Sequence, residues 1–176
     1  MSIGSLGTFL GSLGGFTIAT KEICSHQRLA SSAYIFSASP CPFNVVAGTT
    51  AIKILEQEGE QRISTLRHNS TMMNKLLSGI PNAHILSDDI SPLIHISLDL
   101  EKSNEELDAI INRIVDACLE DENPVAISKS LYIRSFDTYA PPPTIKVLVS
   151  AAHSEDQIRQ AAATIKRSIE RVVSTQ

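Results

Sequence analysis

Apolar side chains and one threonine recur every three to four residues along two neighbouring stretches of the chain. This spacing predicts helices over residues 43–58 and 60–77. Gly59 lies between them and is expected to break the helix, because glycine loses more backbone entropy there than other residues. Gly79 and Pro81 mark the end of the second helix. The positions that share this spacing are Val45, Val46, Thr49, Ile52, Leu55, Ile63, Leu66, Met73, Leu76 and Leu77.

Short apolar runs bounded by turn residues predict strands elsewhere in the chain. From Ala83 the spacing of apolar residues changes from the helical period to the alternation of a strand. Three consecutive prolines at 141–143 form a stiff, extended segment before the last strand. A further helix is predicted over residues 21–30. The predicted strands are residues 16–20, 84–86, 93–98, 125–128 and 144–150.

Two helix starts carry a capping box, in which a serine and the side chain three residues later satisfy each other's backbone donors. One box pairs Ser103 with Glu106, and the other pairs Ser154 with Gln157. Each helix then presents one apolar face. These faces are Leu107, Ile110, Ile111, Ile114, Val115 and Cys118, and Ile158, Ala161, Ala162, Ile165, Ile169 and Val172.

The order of elements predicts an α/β fold with three parts. Residues 59–176 form helix, strand, strand, helix, strand, strand, helix, which is typical of a small α/β sandwich domain with helices on one face of a short sheet. Residues 43–58 are expected to be a connecting helix. Residues 1–42 are expected to be the end of a larger domain, because residues 1–58 do not close a core by themselves.

Composition narrows the possible functions. The chain has 176 residues and a net charge of −4, from 15 Lys and Arg against 19 Asp and Glu, so no basic patch for nucleic acid is expected. The first 20 residues carry no charge but are too rich in glycine for a membrane span or a signal peptide. The chain is therefore expected to be a soluble fragment that begins within a fold. Neither a disulfide framework nor a metal site is expected from Cys24, Cys41, Cys118 and the five histidines.

The most informative stretch is the glycine-rich segment over residues 4–16. It lacks the Gly-Lys-Ser/Thr of a phosphate-binding P-loop, and it does not open a helix after a strand as a dinucleotide fingerprint does. A flexible loop before a strand is the alternative interpretation. The segment also resembles the cofactor-lysine signature of the α-oxoamine synthases, with Gly11, Gly14, Gly15 and Phe16 in the matching positions.

In this alignment the family's lysine falls on Thr8, and a threonine hydroxyl cannot form the Schiff base with pyridoxal phosphate. Four further segments, in the family's order, resemble the non-catalytic (long-chain-base 1) subunit of serine palmitoyltransferase, which lacks that lysine. These segments are residues 26–29, 34–42, 91–96 and 141–154. The resemblance implies the C-terminal portion of a fold-type I pyridoxal-phosphate transferase of aminotransferase class I/II, with residues 1–42 carrying a degenerate lysine loop.

The resemblance also implies a role. Serine palmitoyltransferase condenses L-serine with palmitoyl-CoA to 3-oxosphinganine in sphingolipid biosynthesis, on the cytosolic face of the endoplasmic reticulum membrane. This chain would support a lysine-bearing catalytic partner in a heterodimer. Pyridoxal 5′-phosphate would be bound covalently by the partner, and this chain alone would be inactive.

Three site residues are carried over from the family. Ser37 and Ser39 would reach across the dimer to the phosphate of the partner's cofactor, or alternatively cap the backbone before Pro40. Lys146 occupies the position of an arginine that clamps the substrate carboxylate, and it lacks the bidentate fork of that arginine. The alternative for Lys146 is a solvated lysine at a strand end.

Three other residues are given weaker or no chemical roles. His26 and Arg28 are expected at a subunit interface or on a solvated helix face. His95, between two isoleucines, is expected at the edge of the core with one hydrogen bond.

Two alternative functions remain open. The first is an active α-oxoamine synthase-like acyltransferase that uses another lysine, such as Lys21 or Lys53. The second is a free-standing α/β interaction module without pyridoxal chemistry.

Overall fold

The computed structural model describes residues 1–7, 10–132, 136–137 and 139–175. The chain divides into two compact units, Met1–Glu60 and Gln61–Gln176, which are called here the N-terminal unit and the C-terminal unit. The boundary between them falls within one helix. None of the described helices is long and apolar enough to cross a membrane.

The N-terminal unit contains a small antiparallel sheet and helices. Strands β1 (Ser2–Ser5) and β2 (Gly15–Ile18) pair with Ser2 opposite Ile18 and Ser5 opposite Gly15. Helices α1 (Lys21–Ala30) and α2 (Ser32–Ile35) follow, and α3 (Pro42–Leu77) begins in this unit. The helix predicted over residues 21–30 is confirmed, whereas β1 was not predicted because its four residues include only one apolar side chain.

Helix α3 corrects the prediction of two helices separated at Gly59. It is one helix of 36 residues that continues through this glycine. A glycine inside a helix costs only about 1 kcal/mol relative to alanine. The strong helix formers on either side, from Leu55 through Arg62, offset that cost.

The C-terminal unit is a four-stranded antiparallel sheet with helices, in the order predicted for residues 59–176. After α3 the elements are β3 (Ala83–Ile85), β4 (Leu93–Leu98), α4 (Asn104–Leu119), β5 (Ser128–Lys129), β6 (Ile145–Leu148) and α5 (Glu155–Val173). The strand order in the sheet is β3-β4-β6-β5, so β6 lies between β4 and β5.

Strand β5 is shorter than predicted. Only Ser128 and Lys129 pair with β6, whereas the sequence predicted a strand over residues 125–128. The reason is local, because the backbone N–H of Val125 donates to the carbonyl of Cys118 at 2.9 Å. The preceding residues are therefore tied to the end of α4 instead of the sheet.

One face of the sheet and the two helices α4 and α5 form a continuous apolar core. Alternate residues of β4 and β6 face this core, and the fully buried side chains contribute about 1.5–3 kcal/mol each. The opposite face carries half-buried polar side chains, among them His95, Ser97 and Lys146. The core includes Ile94, Ile96, Leu98, Ile111, Ile114, Ile145, Val147, Ile158, Ile165 and Ile169.

Both predicted capping boxes are present. The backbone N–H of Glu106 donates to Ser103 Oγ at 3.2 Å, and Glu106 Oε2 accepts from the N–H of Ser103 at 2.8 Å. The bond from the Ser103 backbone holds the pKa of Glu106 below its ordinary value. Ser154 and Gln157 repeat the pattern at 3.3 and 2.9 Å. These boxes explain why α4 and α5 begin where the sequence predicted.

Candidate functional site

The glycine-rich segment forms the connection between β1 and β2. The N–H of Leu6 donates to the carbonyl of Gly14 at 2.9 Å, and the N–H of Ser12 donates to the carbonyl of Leu6 at 2.8 Å. Gly11 and Gly14 have φ values of +61° and +106°, a region that glycine adopts without steric cost. The glycines are therefore required by the turn.

The segment contacts Pro40, just before α3, and the first turn of α3, within the N-terminal unit. Ser12 Oγ donates to the carbonyl of Asn44 at 2.6 Å. A Cβ added at Gly14 would meet Pro40 Cγ at 3.5 Å, so the loop lies in contact with the stretch that carries Ser39. The structure thus brings the lysine-signature segment into contact with Pro40, the residue that follows Ser39 in the chain.

Thr8 itself lies outside the described residues. The sequence settles the chemistry of the loop all the same, because no lysine occurs before Lys21. Lys21 is the first residue of α1 and Lys53 lies in α3, and both are exposed. The loop therefore offers no amine for covalent attachment of pyridoxal phosphate, and the residues present do not fit that form of cofactor binding.

The two predicted serines differ in their free hydrogen-bonding groups. The hydroxyl of Ser37 donates to the carbonyl of Ala33, so its hydrogen is already used. The hydroxyl of Ser39 makes no hydrogen bond within the described parts of the chain. A phosphate accepts hydrogen bonds and needs donors, which makes Ser39 the better candidate of the two.

Lys146 lies in the C-terminal unit, on the face of the sheet opposite the apolar core. It is half-buried, with His95 directly opposite on β4 and Ser128 directly opposite on β5. Among the described residues its ammonium makes no ion pair. This row of polar residues across three strands was not predicted, although strand alternation would have assigned Lys146 and His95 the same kind of face.

His95 takes the role predicted for it. Its Nδ1 lies 2.8 Å from the Oγ1 of Thr144, a buried residue, so the ring makes one hydrogen bond at the edge of the core. Its backbone N–H donates to Ser87 Oγ at 2.7 Å. His26 and Arg28 are exposed on α1. Nothing in these contacts assigns catalytic chemistry to the three residues.

Asn69 was not singled out from the sequence. It is 2 % exposed, and its Nδ2 donates to the carbonyls of Ser150 and His153 at 3.0 and 2.9 Å. His153 in turn accepts from the N–H of Ser150 through Nδ1 at 3.2 Å. Asn69 therefore fixes the turn after β6, the strand that carries Lys146. No sequence signal distinguishes it from the other asparagines on helices.

Cys24, Cys41 and Cys118 form no disulfide, and burial raises the pKa of the Cys118 thiol. Within the described ranges, no three His, Cys, Asp or Glu side chains cluster as metal ligands would.

The family model for aminotransferase class I and II matches residues 1–165. Long chain base biosynthesis protein 1c of Oryza sativa subsp. japonica is 33 % identical over 96 % of this chain and 34 % of its own length. Serine palmitoyltransferase 1 of Dictyostelium discoideum is 35 % identical over 93 % of this chain and 35 % of its own length. The chain spans about a third of the length of these curated relatives.

Solved structures share the fold. A Sphingomonas wittichii serine palmitoyltransferase matches 98 % of this chain and 40 % of its own, with a TM-score of 0.77 and 19 % identity. An 8-amino-7-oxononanoate synthase from Francisella tularensis matches 96 % of this chain and 45 % of its own, with a TM-score of 0.71 and 23 % identity. The predicted fold class, a portion of a pyridoxal-phosphate-dependent transferase, is confirmed.

Proposed function

Because this chain belongs to the aminotransferase class I and II family, we propose that it is part of the non-catalytic subunit of a serine palmitoyltransferase. The observation that carries the proposal is the missing lysine: the loop that resembles the family's cofactor-lysine signature contains no amine. Similarity to relatives named serine palmitoyltransferase 1 and long chain base biosynthesis protein 1 supports the same assignment.

In this proposal a lysine-bearing partner carries out the reaction of L-serine with palmitoyl-CoA. Carbon dioxide and CoA are lost, and 3-oxosphinganine is formed for sphingolipid biosynthesis. Pyridoxal phosphate would be held covalently by the partner's lysine and would supply an electron sink for the chemistry at the α-carbon of L-serine. The complex acts at the cytosolic face of the endoplasmic reticulum membrane.

The residues proposed for this chain each bind or orient one group. Ser39 donates a hydrogen bond to the phosphate of the partner's cofactor, and Ser37 contributes mainly to the backbone before Pro40. Lys146 supplies a positive charge for the carboxylate of L-serine, without the geometric selectivity of an arginine. In this proposal residues 1–42 are the end of the large cofactor-binding domain and residues 59–176 are the small domain. Residues 43–58 connect the two domains.

The exposed apolar surface of the N-terminal unit is evidence that another protein surface contacts it. Leu29, Phe36 and Phe43 are 81, 85 and 69 % exposed, and Val46 is 64 % exposed. Soluble monomers rarely leave several large apolar side chains this exposed unless another protein surface covers them, here a partner subunit or the rest of the larger domain to which residues 1–42 are expected to belong. The same observation counts against the free-standing interaction module.

Co-expression with a lysine-bearing serine palmitoyltransferase tests the assignment. We expect the two chains to co-purify and to form 3-oxosphinganine, measured by mass spectrometry, whereas this chain alone forms none. Borohydride reduction of this chain alone with pyridoxal phosphate, followed by peptide mapping, identifies any amine that binds the cofactor. Specific trapping at Lys21 or Lys53, together with activity, would show instead an active acyltransferase and overturn the proposal.

Ser39→Ala tests the role in cofactor binding, with Ser37→Ala as the matched control. Loss of one charge-assisted hydrogen bond is expected to weaken cofactor binding by the complex about tenfold, measured by fluorescence titration with pyridoxal phosphate. Ser37→Ala should change it much less, because that hydroxyl already donates to Ala33. Equal effects of the two variants would contradict the assignment of Ser39.

A further inference from the structure

Strand β5 is so short that it leaves part of one edge of β6 without a neighbouring strand. The two strands pair at Ser128 with Lys146. In the same register the next hydrogen-bonded pair would be Ala126 with Leu148, two residues further along each strand. No backbone hydrogen bond joins these two residues, because the segment over 125–127 is tied to the end of α4. The edge of β6 at Leu148 is therefore open.

The backbone of Leu148 presents its N–H and C=O to this open edge. The N–H of Val149 donates to the carbonyl of Pro92 at 2.8 Å and so points toward β4. Successive residues of a strand turn their backbone groups to opposite edges, so those of Leu148 point away from β4. Leu148 is 71 % exposed, and among the described residues its N–H and C=O have no backbone partner. Accessible backbone groups of this kind are a template for another strand.

A groove of ≈ 650 Å³ lies beside the open edge, within the C-terminal unit. Its walls are the segment over 123–127 and one face of α5, on which Gln157 and Ala161 follow each other at helical spacing. Val125 and Ile127 are half-buried and bring apolar surface to the groove. Binding sites in proteins commonly have volumes of about 300–1,000 Å³. The groove therefore has room for a short segment of another chain.

The lining of the groove favours an uncharged occupant. Within the described part of the chain no Asp, Glu, Lys or Arg side chain lines it, and His153 is its one titratable group. The Nδ1 of His153 accepts from the N–H of Ser150 at 3.2 Å, as only an unprotonated ring nitrogen can. At the rim, Gln160 Nε2 donates to Asn123 Oδ1. A charge placed here would lose its hydration without gaining an ionic partner.

We propose that the groove binds an extended, uncharged peptide segment of a partner protein, which adds as a strand to the open edge of β6. The peptide residue opposite Leu148 exchanges two backbone hydrogen bonds with it, one in each direction. The residues on either side of that residue point to the opposite face of the sheet, and their apolar side chains lie on the side of Val125 and Ile127. The inference rests on the strand edge and is independent of the proposed function.

The test uses the full chain and the peptide acetyl-Thr-Val-Thr-Val-Thr-amide as the probe. Nuclear magnetic resonance of the ¹⁵N-labelled chain should show a saturable shift of the Leu148 amide. Saturation with peptide should also slow hydrogen exchange of this amide about fivefold or more, because its N–H gains an acceptor. Val147 is the internal control. Its backbone pairs with Ile94 on β4 with and without peptide, so its exchange should change little.

Two substitutions at one position separate the backbone of Leu148 from its side chain. Leu148→Pro removes the N–H and should weaken peptide binding about fivefold or more. Leu148→Ala keeps the N–H and should leave the affinity nearly unchanged. A proline is tolerated on an edge strand where the N–H faces solvent. The peptide with all three threonine nitrogens methylated should also bind the unmodified chain about fivefold more weakly, and this result does not depend on the folding of a variant.

Four results would overturn the proposal. An edge that bonds only to water shows no saturable shift of the Leu148 amide. Slow exchange of this amide in the free chain would mean that Ala126 already pairs with it or, where protection rises with protein concentration, that a second copy of the chain does. Equal weakening by Leu148→Pro and Leu148→Ala would exclude the backbone contact. Equal binding of acetyl-Glu-Thr-Glu-Thr-Glu-amide would exclude the preference for an uncharged segment.

Discussion

The two compact units of this chain differ in what they bury. The C-terminal unit encloses a continuous apolar cluster in which side chains such as Ile111 and Ile165 are 0 % exposed. In the described part of the N-terminal unit only two residues are buried, and both are glycines, Gly48 and Gly59. Its large apolar side chains, such as Phe36, remain exposed.

This difference indicates where the folding free energy arises. Removal of apolar surface from water contributes about 25 cal/mol per Å², and the C-terminal unit gains this term over a whole sheet face and two helices. The N-terminal unit has a two-stranded sheet, which is marginally stable by itself, and a loop held by a few hydrogen bonds. We therefore expect the C-terminal unit to unfold cooperatively and the N-terminal unit to need a covering surface.

The largest expected effect comes from the core. Ile111→Ala should lower the free energy of unfolding by about 2–5 kcal/mol, because it leaves a cavity among fully buried side chains. Ile52→Ala, at a side chain that is 42 % exposed, should lower it by about 0.5 kcal/mol or less. Urea unfolding followed by circular dichroism measures both. A comparable loss in the two variants would break the distinction between the units.

The next effect concerns a buried polar contact. Asn69→Ala removes the donor shared by the carbonyls of Ser150 and His153, and it should cost about 1–3 kcal/mol. Hydrogen exchange should then show reduced protection of the amides near this turn. Ser12→Ala removes the hydrogen bond to Asn44 in the N-terminal unit. The amides of this unit are expected to exchange rapidly with and without the substitution. Strong protection of the β1 amides in the unmodified chain would argue against this expectation.

A smaller effect is expected at the helix caps. Ser103→Ala removes a capping box at the start of α4 and should cost about 1 kcal/mol. Ser31→Ala, at the N-cap of α2, should leave the melting temperature nearly unchanged, because Ser31 makes no side-chain capping bond. Thermal melting compares the two. If Ser31→Ala lowered the melting temperature as much as Ser103→Ala, the N-terminal unit would be part of the same cooperative transition.

The smallest effect depends on pH. The backbone N–H of Asn123 and then the guanidinium of Arg167 hold the pKa of Asp121 below its ordinary value of 3.8. A lowered pKa means that the ionised carboxylate stabilises the fold above that ordinary value, and this contribution is lost as pH falls through the folded-state pKa. Asp121→Asn should therefore lower the urea midpoint at about pH 7 and differ less from the unmodified chain at about pH 2.

Glu22→Gln is the control for this pH dependence. The pKa of Glu22 is also lowered, first by its own backbone N–H and then by Thr20, but Glu22 lies on α1 in the N-terminal unit. The substitution should leave the urea midpoint of the C-terminal unit unchanged at both pH values. A shift equal to that of Asp121→Asn would show that the two units unfold together.

Features set by neighbouring residues were predicted well. The bounds of α1 and β4 and both capping boxes follow from short stretches of sequence, because caps and periodicity act over three to four residues. Predictions were wrong where a local signal was weak relative to its surroundings. Gly59 does not end α3, and residues 125–127 follow the end of α4 rather than the sheet.

In the candidate site, too, some features depend on neighbouring residues in the sequence and others depend on the surroundings in the fold. The absence of a lysine from the glycine-rich loop can be read from the sequence, and so can the candidate serines. The difference between Ser37 and Ser39 depends on which carbonyl lies near each hydroxyl, which the sequence does not specify. The side-chain amide of Asn74, buried without a partner among the described residues, and the two bonds of Asn69 depend equally on their surroundings, since both are asparagines five residues apart on α3.

By itself the sequence determined the order of helices and strands from β3 to α5, the starts of α1, α4 and α5, and the absence of the lysine, because each depends on residue types within a few positions. Only the tertiary structure decided that Lys146 faces His95, that Asn69 holds the turn after β6, and that the N-terminal unit lacks a buried core. These features require residues far apart in the chain to meet. Strand register and packing bring such residues together, and neither is encoded in a local pattern.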